Sequence, residues 1–258
     1  MLVVKVGGRA LRNLGEICRD LARYEPFILV HGGGDEVSDI SRRMGIEPKF
    51  VTSPSGLRSR YTDESEIEVY VMVMAGKINK SIVNELLNLG VKAIGISGLD
   101  GPIMIAERKE RIIVQEGGRK FAIPGGYTGR IVEVRKELIE GLMRLGYNLV
   151  ISPISKGKGG EILNVDGDQA AVSIAEALRP EGLVILSDVD GVAVNGEVRR
   201  VIWVDEIGPI EGVGGGMLRK LMMSARVAGL TRVVIANGLR DEPVTRALRG
   251  EGTSIEVR

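Results

Sequence analysis

The sequence is poor in the residues on which much catalytic and metal-binding machinery depends. Its 258 residues include one cysteine, Cys18, one histidine, His31, and one tryptophan, and aromatics make up only 3%. A single cysteine cannot close an internal disulfide, and one Cys with one His cannot build a Cys/His zinc site. A Ser/His/Asp or Cys/His hydrolase would have to use His31, which stands among glycines. Charge of one sign is missing too: 35 Lys+Arg against 34 Asp+Glu leave a formal +1, which gives no general nucleic-acid footprint. Long apolar runs are absent. The longest stretch without a charged residue, Leu145 to Ser155, falls short of the ~20 residues of a membrane span. Lys5 falls inside the first apolar run and no cleavage site follows, so no signal peptide is expected. With 44% hydrophobic and 27% charged residues, the expectation is a globular protein with ample core in a reducing cytoplasm.

Glycine is abundant: 36 residues, about twice the usual ~7%. Short runs rich in Val and Ile predict buried strands at Leu2–Val6, Phe27–Val30, Val91–Ile96, Asn148–Ser152, Leu183–Leu186 and Arg232–Ala236. Helical patterns fill the gaps at Glu36–Met44, Lys136–Leu145, Gln169–Leu178 and Gly216–Ala228. The clearest begins near Thr62, where Ile67, Val71, Met74, Ile78, Ile82 and Leu86 recur at helical spacing behind an acidic cap at Thr62 to Ser65. Strands alternating with helices predict an α/β protein with a mostly parallel sheet. Two segments read as hairpins: Ile103–Gln115, with Glu107 to Glu110 at its tip, and Val192–Arg200, turning at Asn195-Gly196. Pro153–Gly160 reads as the most loop-like stretch, and a boundary between two lobes is placed near it.

The glycines cluster at strand ends: Gly7-Gly8, Gly32-Gly33-Gly34 and Gly214-Gly215-Gly216. A strand running through glycines into a helix bares backbone N–H groups where an anion can approach. Turn-shaping alone explains any one cluster equally well, but lysines at Lys5 and Lys220 favour phosphate. Neither the P-loop pattern nor a GxGxxG turn after a strand occurs. Asp188 and Asp190, after the strand at Leu183–Leu186, look like the first motif of haloacid-dehalogenase-type phosphatases. That reading lacks a downstream acidic pair, since only Asp205 and Asp241 follow as aspartates.

Several motifs in order resemble the amino acid kinase family, in its acetylglutamate kinase-like branch. They are Lys5-Val6-Gly7-Gly8, His31-Gly32-Gly33-Gly34, Gly56-Leu57-Arg58, Ser97-Gly98-Leu99-Asp100-Gly101, Asn164 to Ala171, Leu186 to Val192 and Gly216 to Lys220. Each is weak alone; seven in order across the chain are specific. The resemblance implies a three-layer α/β/α sandwich, with an acceptor lobe over 1–153 and a nucleotide lobe over 154–258. It implies phosphorylation of a side-chain carboxylate by ATP, with Mg2+ carried on the nucleotide and no metal held by the protein. Such an acceptor is already ionised at pH 7, so the chemistry needs charge neutralisation and positioning rather than a general base.

By the same resemblance, Lys5 and Lys220 neutralise the transferring phosphoryl group and Asp168 orients both. Asp168 also stands where it could cap a helix starting at Gln169. Gly8, Gly33 and Gly34 offer N–H groups to the phosphoryl oxygens and the acceptor, Arg58 and Asn164 hold the acceptor's α-carboxylate end, and Ser187, Asp188 and Asp190 line the nucleotide pocket. His31 reads as a packing or turn residue. Isopentenyl phosphate kinases carry a further His where Asp35-Glu36 stands here. The basic segment from Gly56 to Asp63 resembles carrier-dependent relatives, which act on aminoadipate or glutamate linked to an acidic amino-group carrier, LysW. Arg42, Arg43, Lys49, Arg58 and Arg60, with Arg119, Lys120, Arg130, Arg135 and Lys136, are read as a basic rim that such a partner would meet. Acetylglutamate kinase itself and a non-catalytic amino-acid-binding regulator stay as alternatives. The long helix from Thr62 resembles the family's dimer helix, so a homodimer is expected.

Overall fold

A computed structural model describes residues 1–208 and 212–258. Leu2–Val6 lies inside an eleven-stranded sheet, parallel to Phe27–His31 on one side and to Gly182–Ser187 on the other. Beyond Gly182–Ser187 come Arg232–Asn237 in parallel, Thr253–Glu256 antiparallel to it, and Val201–Trp203. Beyond Phe27–His31 comes the long strand Asn148–Gly157, which also pairs with Ala93–Gly98, Met104–Arg108 and Ile162–Asn164. Gly129–Val134 closes that side, antiparallel to Met104–Arg108.

Successive side chains on a strand point to opposite faces, and both faces here are packed. Val4, Val6, Leu29, Val150, Val184 and Leu186 lie in one apolar cluster with the helix Leu14–Leu21 and the long helical run from Glu64 to Asn88. Val3, Ile28, Val30, Leu149, Ile151, Leu183 and Ile185 lie in the other, with the helices Lys136–Arg144, Gly167–Leu178 and Gly215–Ala225. Full burial of each such side chain contributes roughly 1.5–3 kcal/mol. This is the expected α/β/α sandwich. The alternation also sets the site: Lys5, two residues after Val3, points to the face carrying the helices of Asp168 and Lys220.

All six expected strands belong to the sheet, and each expected helix is present within a few residues of its forecast ends. The Val192–Arg200 hairpin turns at Asn195 and Gly196, both with positive φ. The other expected hairpin is not there. Glu107 to Glu110 is no hairpin tip; Met104–Arg108 pairs with Gly129–Val134, and a separate two-stranded sheet follows, Arg111–Glu116 with Arg119–Pro124. Its turn is Gly117-Gly118, both with positive φ, as a tight turn between right-twisted strands requires. Pro153 to Gly157 is strand rather than loop, buried at all but one position, because this strand crosses the middle of the sheet. Within the run from Thr62, residues Met72–Ile78 form a π-helical segment.

Candidate active site

Lys5, Asp168 and Lys220 meet at the C-terminal end of the Leu2–Val6 strand. Lys5 Nζ lies 2.7 Å from Asp168 Oδ1, and Lys220 Nζ donates to Oδ2 at 2.6 Å. Their side chains are 11%, 10% and 15% exposed for Lys5, Lys220 and Asp168. Burial alone would raise the Asp168 pKa, but the two ammonium groups reverse this and hold it well below the usual carboxylate range. Burial works against the Lys5 charge as well; Asp168, helped by Asp166, more than restores it, so its pKa lies above the ordinary lysine value. Lys220 goes the other way, lowered by burial and by the nearby charge of Lys5. Two buried cations share one carboxylate, so the centre has room for further negative charge.

The sequence reading of Asp168 as a helix cap needs correction. Asp166 is the cap, its carboxylate accepting from Gln169 N at 3.0 Å in front of the Gly167–Leu178 helix. Asp168 therefore sits in the first helical turn, with its side chain free for the lysines.

The two glycine turns of the N-terminal half face each other beside this centre. A Cβ on Gly32 would lie 2.9 Å from Gly8 N, and one on Gly8 would lie 3.2 Å from Gly33 N. Gly33 has φ +153° and a Cβ there would meet Ile78 Cδ1 at 2.1 Å, so only glycine suits it. Gly7 and Gly32 donate to Leu186 O and Val6 O, continuing the sheet. Among the described residues, the N–H groups of Gly8, Gly33 and Gly34 have no acceptor, and Gly34 opens the helix Gly34–Arg43. Unpaired N–H groups at a helix start bind anions.

A cleft of about 720 Å³ opens over these groups, lined by Lys5, Gly8, Gly33, Gly34, Arg58, Asn164 and Asp168 together with Lys109, Arg111 and Arg219. Arg58 projects from a small hairpin, Lys49–Thr52 with Arg58–Tyr61, and its guanidinium lies 4.2 Å from the Phe50 ring centre. Asn164 donates through its side chain to Thr62 Oγ1 at 2.8 Å. The 111–124 hairpin supplies the facing wall. Among the described residues, Arg58, Lys109 and Arg111 have no carboxylate within ion-pair distance, so three free cations address the cleft. Lys109 is partly buried, and burial and Arg219 lower its pKa.

The chain matches the amino acid kinase family over residues 1–237. The chain belongs to that family. A LysW-aminoadipate/LysW-glutamate kinase of Saccharolobus islandicus is 49% identical, covering 99% of both chains. Proteins of that name from Saccharolobus solfataricus and Metallosphaera sedula are 48% and 47% identical, again over 99% of this chain. Solved structures share the fold. A Neisseria gonorrhoeae N-acetylglutamate synthase superposes with TM-score 0.80 at 24% identity; the match covers 99% of this chain and 59% of that one. Carbamate kinase from Giardia lamblia gives 0.67 at 16% identity, covering 100% of this chain and 98% of that one.

Other sequence-derived candidates of this amino acid kinase lie elsewhere. Ser187 ends the Gly182–Ser187 strand, Asp188 and Asp190 follow it, and none of the three lines the cleft. Asp188 accepts from Arg9 at 2.9 Å, which carries it beside the Gly7-Gly8 turn. Asp190 is held by Arg240 and Asn237 at a second cavity of about 490 Å³. The two aspartates are thus engaged separately, unlike a phosphatase nucleophile and its acid/base partner. His31 is fully buried; burial lowers its pKa to about 4, and Nδ1 lies 3.0 Å from Gly32 O. A neutral ring in that place packs and hydrogen-bonds. The basic rim divides. Lys49, Arg130 and Arg135 pair with Asp63, Glu107 and Glu133, and Arg42 lies near Asp39 and Glu47. Arg60 turns inward and leaves the rim altogether. Sequence reasoning missed Lys109, Arg111 and Arg219 as cleft residues; the Gly117-Gly118 turn between two short strands was the available signal for the first two.

Proposed function

We propose that this protein transfers the γ-phosphoryl group of ATP to the side-chain carboxylate of 2-aminoadipate, or glutamate, carried on LysW. The observation that carries the phosphoryl-transfer reading is the buried Lys5–Asp168–Lys220 centre beside the unpaired N–H groups of Gly8, Gly33 and Gly34. The carrier reading draws support from full-length relatives bearing that name and from the free cations at the cleft mouth. On this reading the step belongs to amino-acid biosynthesis: to lysine for the aminoadipate form and to arginine for the glutamate form.

In the step itself an acceptor carboxylate oxygen attacks the γ-phosphorus, an O–P bond forms, and the bond to the ADP oxygen breaks. The acceptor carries no proton, so none has to be removed. Negative charge moves onto the ADP oxygen and spreads over the equatorial phosphoryl oxygens. Lys5 and Lys220 meet that charge from two sides, and Asp168 keeps two like charges within reach of one group. Gly8, Gly33 and Gly34 supply the N–H cradle. Arg58 suits the α-carboxylate because a guanidinium offers a paired fork, and Asn164 lies at the same end. Ser187, Asp188 and Asp190 are assigned to the nucleotide side.

Magnesium belongs with the nucleotide in this reading. Both Asp168 oxygens face ammonium groups, and among the described residues no group of three His, Cys, Asp or Glu side chains is placed to hold a metal. An ion of this kind would arrive with the triphosphate and would offset part of its charge. Division into an acceptor lobe (1–153) and a nucleotide lobe (154–258), a cytoplasmic location, and a homodimer through the Glu64–Asn88 run, which exposes Met72 and Leu87, complete the proposal. No helix among the described residues is long and apolar enough to cross a membrane.

The test is chemical. Purified protein is incubated with ATP, magnesium and LysW-aminoadipate, with hydroxylamine present to trap an acyl phosphate as its hydroxamate. The proposal expects ADP and carrier-bound hydroxamate in equal amounts. Absence of both would remove it.

A further inference from the structure

Arg60 is a charged residue where charge is costly. Its side chain is 9% exposed, and that of its partner Glu66 is 2% exposed. Arg60 Nη1 donates to Glu66 Oε1, while Nη2 donates to Gly34 O at 2.6 Å and to Ser38 Oγ at 2.5 Å. The Ser38 hydroxyl donates in turn to Gly34 O at 3.1 Å. One guanidinium thus joins three segments: its own hairpin strand Arg58–Tyr61, the first turn of the Gly34–Arg43 helix, and the helix Glu64–Val71. A buried ion pair is a weak source of stability, because well-packed apolar residues of similar volume do as well. What an arginine fork adds is fixed geometry between its partners.

That geometry lies along the cleft. Gly34, whose carbonyl Arg60 holds, is one of the residues with an unpaired N–H toward the site. Arg58 is two residues from Arg60, on the same face of the strand, and Phe50 lies under both, at 4.2 and 5.1 Å from ring centre to guanidinium carbon. We propose that Arg60 is a positioning residue of the acceptor site: it latches the 49–61 hairpin to the Gly33-Gly34 turn and so fixes the distance between the groups that hold the acceptor and those that receive the phosphoryl group. The term acceptor rests on the reading above; the latch itself does not.

The experiment compares Arg60→Met, Arg60→Lys and the double variant Arg60→Met/Glu66→Met with wild type, by two measurements. The first is hydrogen exchange of the protein without any ligand. In Arg60→Met, amides of 34–38 and 49–61 exchange about tenfold faster, a change of ~1.4 kcal/mol in local opening. Amides of Leu2–Val6 and Gly167–Leu178 keep their rates. Unchanged rates, or a uniform increase, would overturn the latch. The second is steady-state kinetics with LysW-aminoadipate and ATP. Both single Arg60 variants raise the acceptor KM about tenfold and leave the ATP KM within about twofold. The double variant, with no charge left buried, regains melting temperature but keeps the raised acceptor KM. Recovery of that KM together with the melting temperature, or an equal rise in the ATP KM, would reduce Arg60 to a stabilising residue. If wild type fails to use LysW-aminoadipate, the substrate reading fails on its own and hydrogen exchange still decides the latch.

Discussion

The Lys5–Asp168–Lys220 centre and the pair of hairpins at the cleft mouth are built on opposite principles. The centre stands on the sheet and on two helices that pack against it, so its two lysines and their one shared carboxylate are buried and held at fixed distances, with positive charge in excess. The hairpins 49–61 and 111–124 are separate two-stranded sheets outside the main one, with Phe50, Ile113 and Phe121 exposed. Two-stranded units are marginal alone, and here their cations are partly free. A rigid frame suits chemistry that needs fixed distances; small appended elements suit recognition of a variable ligand. The contrast predicts that changes at the centre act on kcat and changes on the hairpins act on the acceptor KM.

The largest effects belong to the centre. Lys5→Ala, Lys220→Ala and Asp168→Asn should each lower kcat by about 10²–10³-fold, the usual cost of removing one group that meets transition-state charge. Single-turnover kinetics with a hydroxamate trap would measure it, and retention of full kcat by any of them would break the comparison. Next comes Arg58→Ala, which removes the proposed charged contact with the acceptor and should raise the acceptor KM by roughly 10–100-fold with little change in the ATP KM.

A pH experiment tests the centre without substrate. The Asp168 carboxyl is held far below its ordinary value of ~3.9, so its ionisation stabilises the fold at every pH above that value. The contribution is lost as pH falls further, toward the lowered pKa. The stability gap between wild type and Asp168→Asn, from urea midpoints, should therefore be steady near neutrality and shrink below about pH 4. A gap that stays constant on acidification would contradict the electrostatic account. The smallest effect is expected at the hairpin surface. Arg119 and Lys120 have no carboxylate within ion-pair distance among the described residues, and Arg119→Glu/Lys120→Glu should slow carrier association a few-fold at low salt and less at high salt.

The same contrast explains what could be read from the sequence. The sheet was legible because its strands are buried on both faces and appear as Val/Ile runs broken at Lys5 and the glycines. Lys5, Lys220 and the three N–H-bearing glycines were legible as a group because strand ends and helix starts fix where they point. The capping residue was not. Asp166 and Asp168 both precede helical pattern, and only the backbone geometry decides that the first caps while the second faces the lysines. The hairpins were harder still. Arg111–Glu116 and Arg119–Pro124 are largely exposed, so no alternation marks them, and only Gly117-Gly118 betrays the turn. Arg60 reads as rim from the sequence because an arginine in a polar, basic stretch is usually solvated. Its burial depends on Glu66 and Gly34, and nothing in a local pattern brings those three together.

The most direct measurement is acceptor discrimination. With saturating ATP, kcat/KM is determined for LysW-aminoadipate and for free N-acetylglutamate on the same preparation. A centre that serves carboxylates in general, reached through hairpins that hold a carrier, predicts a preference of at least about 100-fold for the carrier-bound acceptor, some 2.7 kcal/mol of transition-state discrimination. Equal or better turnover of the free acetylated amino acid would contradict it.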